Sequence, residues 1–169
     1  VSLSNGRQTN WRKKIMTNND ILKRLRYALS ISDKLAVKIF HLGKSQVTEE
    51  EFCSLLLRPD EDDFKKCSNS LLFSFLDGLI ILKRGNLEKP VEEIKITKNN
   101  LNNLILRKLK IALNLKSDEM LSFFKLGGAE LSSSELSALF RKEGHKNYRE
   151  CGDKYIRVFL KGLTEYYRK

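Results

Sequence analysis

The chain has 169 residues, 41% hydrophobic and 31% charged, with two prolines, three cysteines and a formal net charge of +11. That length fits one domain or two small ones, and the composition is that of a soluble, helix-rich globular protein. The longest apolar stretch, Leu71 to Leu82, holds Asp77 and Gly78 and is too short to span a bilayer; no basic-then-apolar leader of the secretory kind is present. Three widely spaced cysteines point to a reducing compartment rather than a disulfide framework, so a cytoplasmic protein without membrane contact is expected.

In chain order, Val1 to Ile15 is polar, lacks helical periodicity, carries four basic and no acidic groups, and holds the single tryptophan, Trp11. It reads as a disordered or non-native leader and is set apart from the fold. From Asn18 onward the sequence is duplicated: residues 18–80 lie over residues 102–164 without a gap, at an offset of 84, with 17 identities in 63 positions. The identities include Asn18/Asn102, Leu25/Leu109, Gly43/Gly127, Glu51/Glu135, Cys67/Cys151 and Gly78/Gly162. An ungapped match through several loops marks a repeated structural unit. The expected organisation is a first repeat over 16–85, a connector over 86–98 and a second repeat over 99–169.

Each repeat reads as four helices. The first carries Ile21, Leu22, Leu25, Ala28 and Leu29, repeated as Ile105, Leu106, Leu109, Ala112 and Leu113, a spacing of three and four that makes one apolar face. The second follows Ser32-Asp33 and Ser117-Asp118 and ends near Gly43 and Gly127, which suit left-handed C-terminal caps. The third begins at Thr48-Glu49-Glu50-Glu51 and Ser132-Ser133-Ser134-Glu135, two capping boxes at equivalent places. The fourth has two adjacent apolar residues per turn, a wide face that belongs centrally. Gly78 and Gly162 interrupt it, and close approach of another helix, such as the other copy's fourth, explains them. The connector carries Pro90 with Val91, Ile94 and Ile96, which suggests that it lies on the protein.

Familiar catalytic and cofactor patterns are missing. The Gly127-Gly128 pair lacks the spacing and following lysine of a phosphate loop, and His145 and Cys151, six apart, stand alone where a structural zinc site needs four ligands. No cofactor, metal or catalytic residue is assigned, and a non-enzymatic protein is expected. Cys67 and Cys151 read as small buried packing residues. A helix-turn-helix reading of helices two and three is disfavoured by its overlong turn and by a third helix poor in base-contacting side chains.

The copies differ most in the loop between helices three and four. The first has Arg58-Pro59-Asp60-Glu61-Asp62-Asp63-Phe64; the second has Lys142-Glu143-Gly144-His145-Lys146-Asn147-Tyr148-Arg149. The acidic run lacks the glycine and distal glutamate of a calcium loop. Residues 16–85 are near neutral, whereas 99–169 carry 14 basic against 8 acidic groups. A candidate polyanion-binding set follows: Arg107, Lys108 and Lys110 on the first helix of the second repeat, and Arg141, Lys142, His145, Lys146, Tyr148 and Arg149 around its loop. A solvated surface, a polyanion site and a protein contact all remain open for it, including a homodimer in which the acidic and basic loops attract one another.

The stretches Asn18-Asn19-Asp20-Ile21-Leu22-Lys23-Arg24-Leu25-Arg26-Tyr27-Ala28-Leu29, Phe75-Leu76-Asp77-Gly78-Leu79-Ile80 and His145-Lys146-Asn147-Tyr148-Arg149-Glu150-Cys151-Gly152-Asp153 resemble the YehS-like family from Met16 to about Lys169. That resemblance implies bacterial cytoplasmic proteins built from two copies of a helical domain of unknown function, with no catalytic residues to transfer. The expectation is an all-α protein of two tandem four-helix repeats, about eight helices in all. It would act as a module binding another macromolecule, protein in preference to nucleic acid.

Overall fold

A computed structural model describes residues 15–85 and 93–168; the leader, apart from Ile15, and the connector's Pro90 and Val91 lie outside them. Among the described residues there are eight helices and no strand. The first repeat holds α1 (Asn18–Ala28), α2 (Asp33–Leu42), α3 (Glu49–Leu55) and α4 (Asn69–Arg84). The second holds α5 (Leu101–Ala112), α6 (Ser117–Gly127), α7 (Ser133–Leu139) and α8 (Asp153–Tyr167).

The helix starts are set by side-chain caps. The Thr48 hydroxyl accepts from the Glu51 amide at 3.1 Å, and that of Ser132 from Glu135 at 3.1 Å. Only Ser132 completes the capping box, Glu135 accepting the Ser132 amide at 3.1 Å. In the first copy Glu51 pairs with Lys65 at 3.3 Å, as Glu135 does with Arg149, but does not reach back to the Thr48 amide, so the expected pair of full boxes is one box and one half. α6 starts one residue earlier than its serine suggested, with Lys116 as N-cap and Glu119 reaching back to the Lys116 amide. The first box was not foreseen: Thr17 and Asp20 close one ahead of α1.

Gly43 and Gly127 are not the left-handed residues. Gly43 has φ −82°, and the left-handed positions are the next ones, Lys44 at +69° and Gly128 at +108°. What needs glycine at 43 and 127 is proximity. A Cβ on Gly43 would sit 2.6 Å from the Ser74 carbonyl carbon on α4, and one on Gly78 would sit 2.7 Å from that of Ile39 on α2. The second repeat copies this, with Gly127 against Val158 and Gly162 against Phe123, both at 2.7 Å. Two backbones therefore cross at a pair of glycines in each repeat. The close approach is real, but its partner is helix two of the same repeat, not the fourth helix of the other.

The repeats are joined by exchange. α2 packs on α4 and α6 on α8 within their own repeats, whereas α1 packs mainly on α8 and α5 mainly on α4. Each repeat's first helix thus seats against the other's last, around a pseudo-twofold axis. The same contact closes both seams: Arg84 donates to Asn114 at 2.7 Å, and its equivalent Arg168 donates to Ser30, the equivalent of Asn114, at 2.7 Å. One continuous core results, running from Leu22 and Phe40 through Phe75 to Phe124 and Phe159. A unit under 70 residues has too little interior of its own, and sharing a core relieves that.

Candidate functional site

The loop after helix three is held in both repeats by one buried asparagine. Asn19 donates to the carbonyls of Leu55 at 2.9 Å and Lys65 at 2.8 Å, and accepts the Cys67 amide at 2.9 Å. Asn103 makes the same three bonds, to Leu139, Arg149 and Cys151, each at 2.9 Å. A neighbour reinforces each clamp, Asn18 donating to the Cys67 carbonyl and Asn102 to that of Cys151. Inside the loops the turns also coincide: Glu61 and His145 donate to the carbonyls of Arg58 and Lys142, and Lys65 and Arg149 to those of Ser54 and Ala138. The acidic and basic loops share these hydrogen bonds and carry opposite charge, and their backbones part at one place, where Gly144 takes φ +95° and its equivalent Asp60 has no positive φ.

Cys67 and Cys151 sit beneath these loops, 2% and 1% exposed. Burial pushes their thiols up to about 11 and about 12, against an ordinary value of 9.0. Packing residues, not nucleophiles, is what that environment makes them. The sign of the linkage follows. Between pH 9 and about 11 the unfolded chain has lost thiol protons that the folded chain keeps, so stability is intact below pH 9 and falls as pH rises through that window. Alkylation at pH 8 is accordingly expected to modify Cys53, the exposed thiol, quickly and Cys67 and Cys151 only on unfolding, as read by intact mass. Rapid labelling of Cys151 in the folded protein contradicts this.

The nine candidate polyanion residues do not form one patch of available cations. Lys108 makes a short ion pair with Asp77 of α4 and lies over the Phe73 ring, its side chain 17% exposed. Arg149 pairs with Glu135 at 3.3 Å and stacks on Tyr155. The bond from the Ser132 amide, then its hydroxyl and Arg149, holds the Glu135 carboxyl below its usual range. Lys110 lies over Phe140, while His145 and Lys146 are exposed in the loop. Arg107, Arg141, Lys142 and Tyr148 do meet, with Glu143, Ile94 and Asn100, around a small cleft of about 40 Å³. Burial pushes the Tyr148 phenol up to about 12, and its hydroxyl donates to the Asn99 carbonyl at 2.7 Å. Cys151 and His145 do not line that cleft.

The cleft is small because the connector lies in it. Ile94 packs on the core, Thr97 donates to Glu143 at 2.8 Å, and Tyr148 ties down Asn99. The first repeat has the corresponding pocket, lined by Met16, Asn19, Asp20, Lys23, Pro59 and Phe64 among others. Those six positions are the register equivalents of Asn100, Asn103, Leu104, Arg107, Glu143 and Tyr148. Here the volume is about 360 Å³. Pro59 and Phe64 stand where Glu143 and Tyr148 tie the connector, and neither side chain can make those bonds. Between them run Asp60 to Asp63, of which Arg58 engages Asp60 and Glu61. Sequence comparison pointed to the second loop; among the described residues the larger volume is beside the first, where the register equivalents of connector residues 93–98 are residues 9–14, outside those described.

Among the described residues no helix is long and apolar enough to cross a membrane, and no group of three or more His, Cys, Asp or Glu side chains is placed to hold a metal ion. Residues 18–85 and 102–169 each match the family described as "Protein of unknown function (DUF1456)". The chain is 41% identical over 150 residues to the "Uncharacterized protein YehS" of Escherichia coli (strain K12), covering 88% of this chain and 95% of that protein. No solved structure matches.

Proposed function

The chain belongs to the DUF1456 family, YehS-like and duplicated as its sequence suggested, and we propose that it is a non-enzymatic module that captures an extended segment of another protein in the pocket of its first repeat. One observation carries this: the second repeat's equivalent pocket is occupied by the chain's own connector, with Ile94 packed on the core. The molecule therefore contains a worked example of the ligand class. Such a segment is extended, apolar at positions two apart like Ile94 and Ile96, and held at its backbone as the Asn100 side chain holds Lys95 and Thr97. The first pocket supplies apolar surface from Met16, Pro59 and Phe64, and the acidic run beside it favours basic flanking residues.

Selection from a displayed random-peptide library tests the reading. Enriched peptides are expected to carry apolar residues two apart with basic neighbours. Their affinity should fall roughly tenfold or more with Phe64→Lys, the effect of losing about 1.5–3 kcal/mol of apolar burial. Tyr148→Phe should leave it unchanged. Absence of enrichment, or binding indifferent to Phe64→Lys, contradicts it. A second reading, nucleic-acid binding by the second repeat, is favoured by the meeting of Arg107, Arg141 and Lys142 at one cleft. It requires affinity that weakens log-linearly with salt.

A further inference from the structure

The connector borders a second cavity, of about 200 Å³, between itself, α4 and α5. The two clefts share Ile94, Leu104 and Arg107 and differ in their other wall: the loop lines the smaller, α4 the larger. The floor of the larger is apolar, made by Phe73, Leu104, Ile94 and Ile96. Phe73 and Leu104 belong to the core and are 7% and 8% exposed. The connector wall is set by the Asn100 side chain, which accepts the Thr97 amide at 2.7 Å and donates to the Lys95 carbonyl at 2.8 Å, with Ile96 between them. Four charged groups border this floor, and two satisfy each other: Lys108 pairs with Asp77 and lies over the Phe73 ring. The other two are Arg107, half-buried, and Glu93, exposed at the rim. Among the described residues neither of these side chains makes an ion pair or a hydrogen bond. α5 carries no acidic residue to neutralise Arg107 from its own helix. In the smaller cleft, Glu143 accepts from the Thr97 hydroxyl.

A half-buried guanidinium has given up part of its hydration, and a carboxylate restores it through paired, charge-assisted hydrogen bonds. We propose that this cavity binds a free amino acid with an apolar side chain: its carboxylate on Arg107, its ammonium on Glu93, and its side chain on Phe73, Leu104 and Ile96. The charge inventory selects the class. With Asp77 and Lys108 paired, one cation and one anion remain, and a zwitterion satisfies both. A simple carboxylate would meet Glu93, and a simple amine would meet Arg107, each with like charge. The floor selects the side chain. An apolar cavity of about 150 Å³ takes a six-carbon ring, so this one has room for leucine. The α1–α8 seam does not encode the same floor, since the register equivalents of Phe73 and Leu104 are Arg157 and Asp20. The site is separate from the peptide pocket of the first repeat.

The test is calorimetric titration of the full chain with L-leucine, 4-methylpentanoate, 3-methylbutylamine and glycine; the last three each lack one of the recognised groups. Leucine is expected to bind roughly tenfold or more tightly than any of them. It should shift the methyl resonances of Ile94 and Ile96 and leave those of Met16, in the first repeat's pocket, unmoved. Arg107→Gln should weaken leucine binding by roughly tenfold or more. Arg141→Gln, which touches the smaller cleft alone, should leave it unchanged. Glu93→Gln should weaken leucine and strengthen 4-methylpentanoate, because the repelling carboxylate has gone. Neither side chain has a partner among the described residues, so both variants should keep the wild-type Tm, and the ligand series on the unaltered chain stands without them. Absence of leucine binding, 4-methylpentanoate binding as tightly as leucine, or a leucine affinity indifferent to Arg107→Gln overturns the proposal.

Discussion

Asn103→Ala is expected to lower stability by about 3–5 kcal/mol, because three buried backbone groups lose their partner at once and each unsatisfied group costs about 1–3 kcal/mol. The groups are the carbonyls of Leu139 and Arg149 and the amide of Cys151, all held within 2.9 Å of the Asn103 amide group. Asn103→Asp should be nearly as damaging, since a carboxylate cannot donate to the two carbonyls. Urea unfolding reads the effect as a lower midpoint at unchanged slope. A loss below about 1 kcal/mol would mean that the loop is held by its own turns and not by the clamp. Because the clamp positions the loop that lines each pocket, Asn19→Ala should weaken peptide capture as well as stability.

Gly162→Ala should also destabilise, by about 2–3 kcal/mol, against the usual sign. In an ordinary helix interior alanine is better than glycine by about 1 kcal/mol. Here the added Cβ would meet the Phe123 carbonyl of α6, which is backbone and cannot rotate away, so the two helices must move apart. α8 also carries the α1 seam, so the movement reaches the other repeat. Thermal or urea unfolding decides it, and an unchanged or raised stability contradicts the backbone crossing. Gly78→Ala against Ile39 is the matching experiment in the first repeat.

The apolar stripes, the hydroxyl caps and the duplication were readable from residue spacing, since they depend on local geometry and periods of three and four. The glycines were readable as close approaches, yet their partner was not. Periodicity tells which face of a helix is buried and says nothing about which neighbour covers it. Reciprocal packing of α1 on α8 and of α5 on α4 lies beyond such patterns for the same reason. Asn19 and Asn103 left a usable signal: identical polar residues on an otherwise apolar face, three before Leu22 and Leu106, in both copies. The charge contrast of the loops was plain, but the commitments of Lys108 and Arg149 were not, because their partners lie 31 and 14 residues away. Nor did charge show that the connector's Ile94 lines the second repeat's cleft beside Arg107 and Tyr148.

Amide NMR of the full chain titrated with a library-selected peptide is the most direct measure of the claim that the repeats have divided a common pocket into an occupied and an available copy. Shifts are expected at Asn18 to Lys23 and at Asp60 to Cys67, with Arg107 and Gly144 to Tyr148 unmoved. Shifts confined to the second repeat's loop, or distributed equally over both, would contradict it.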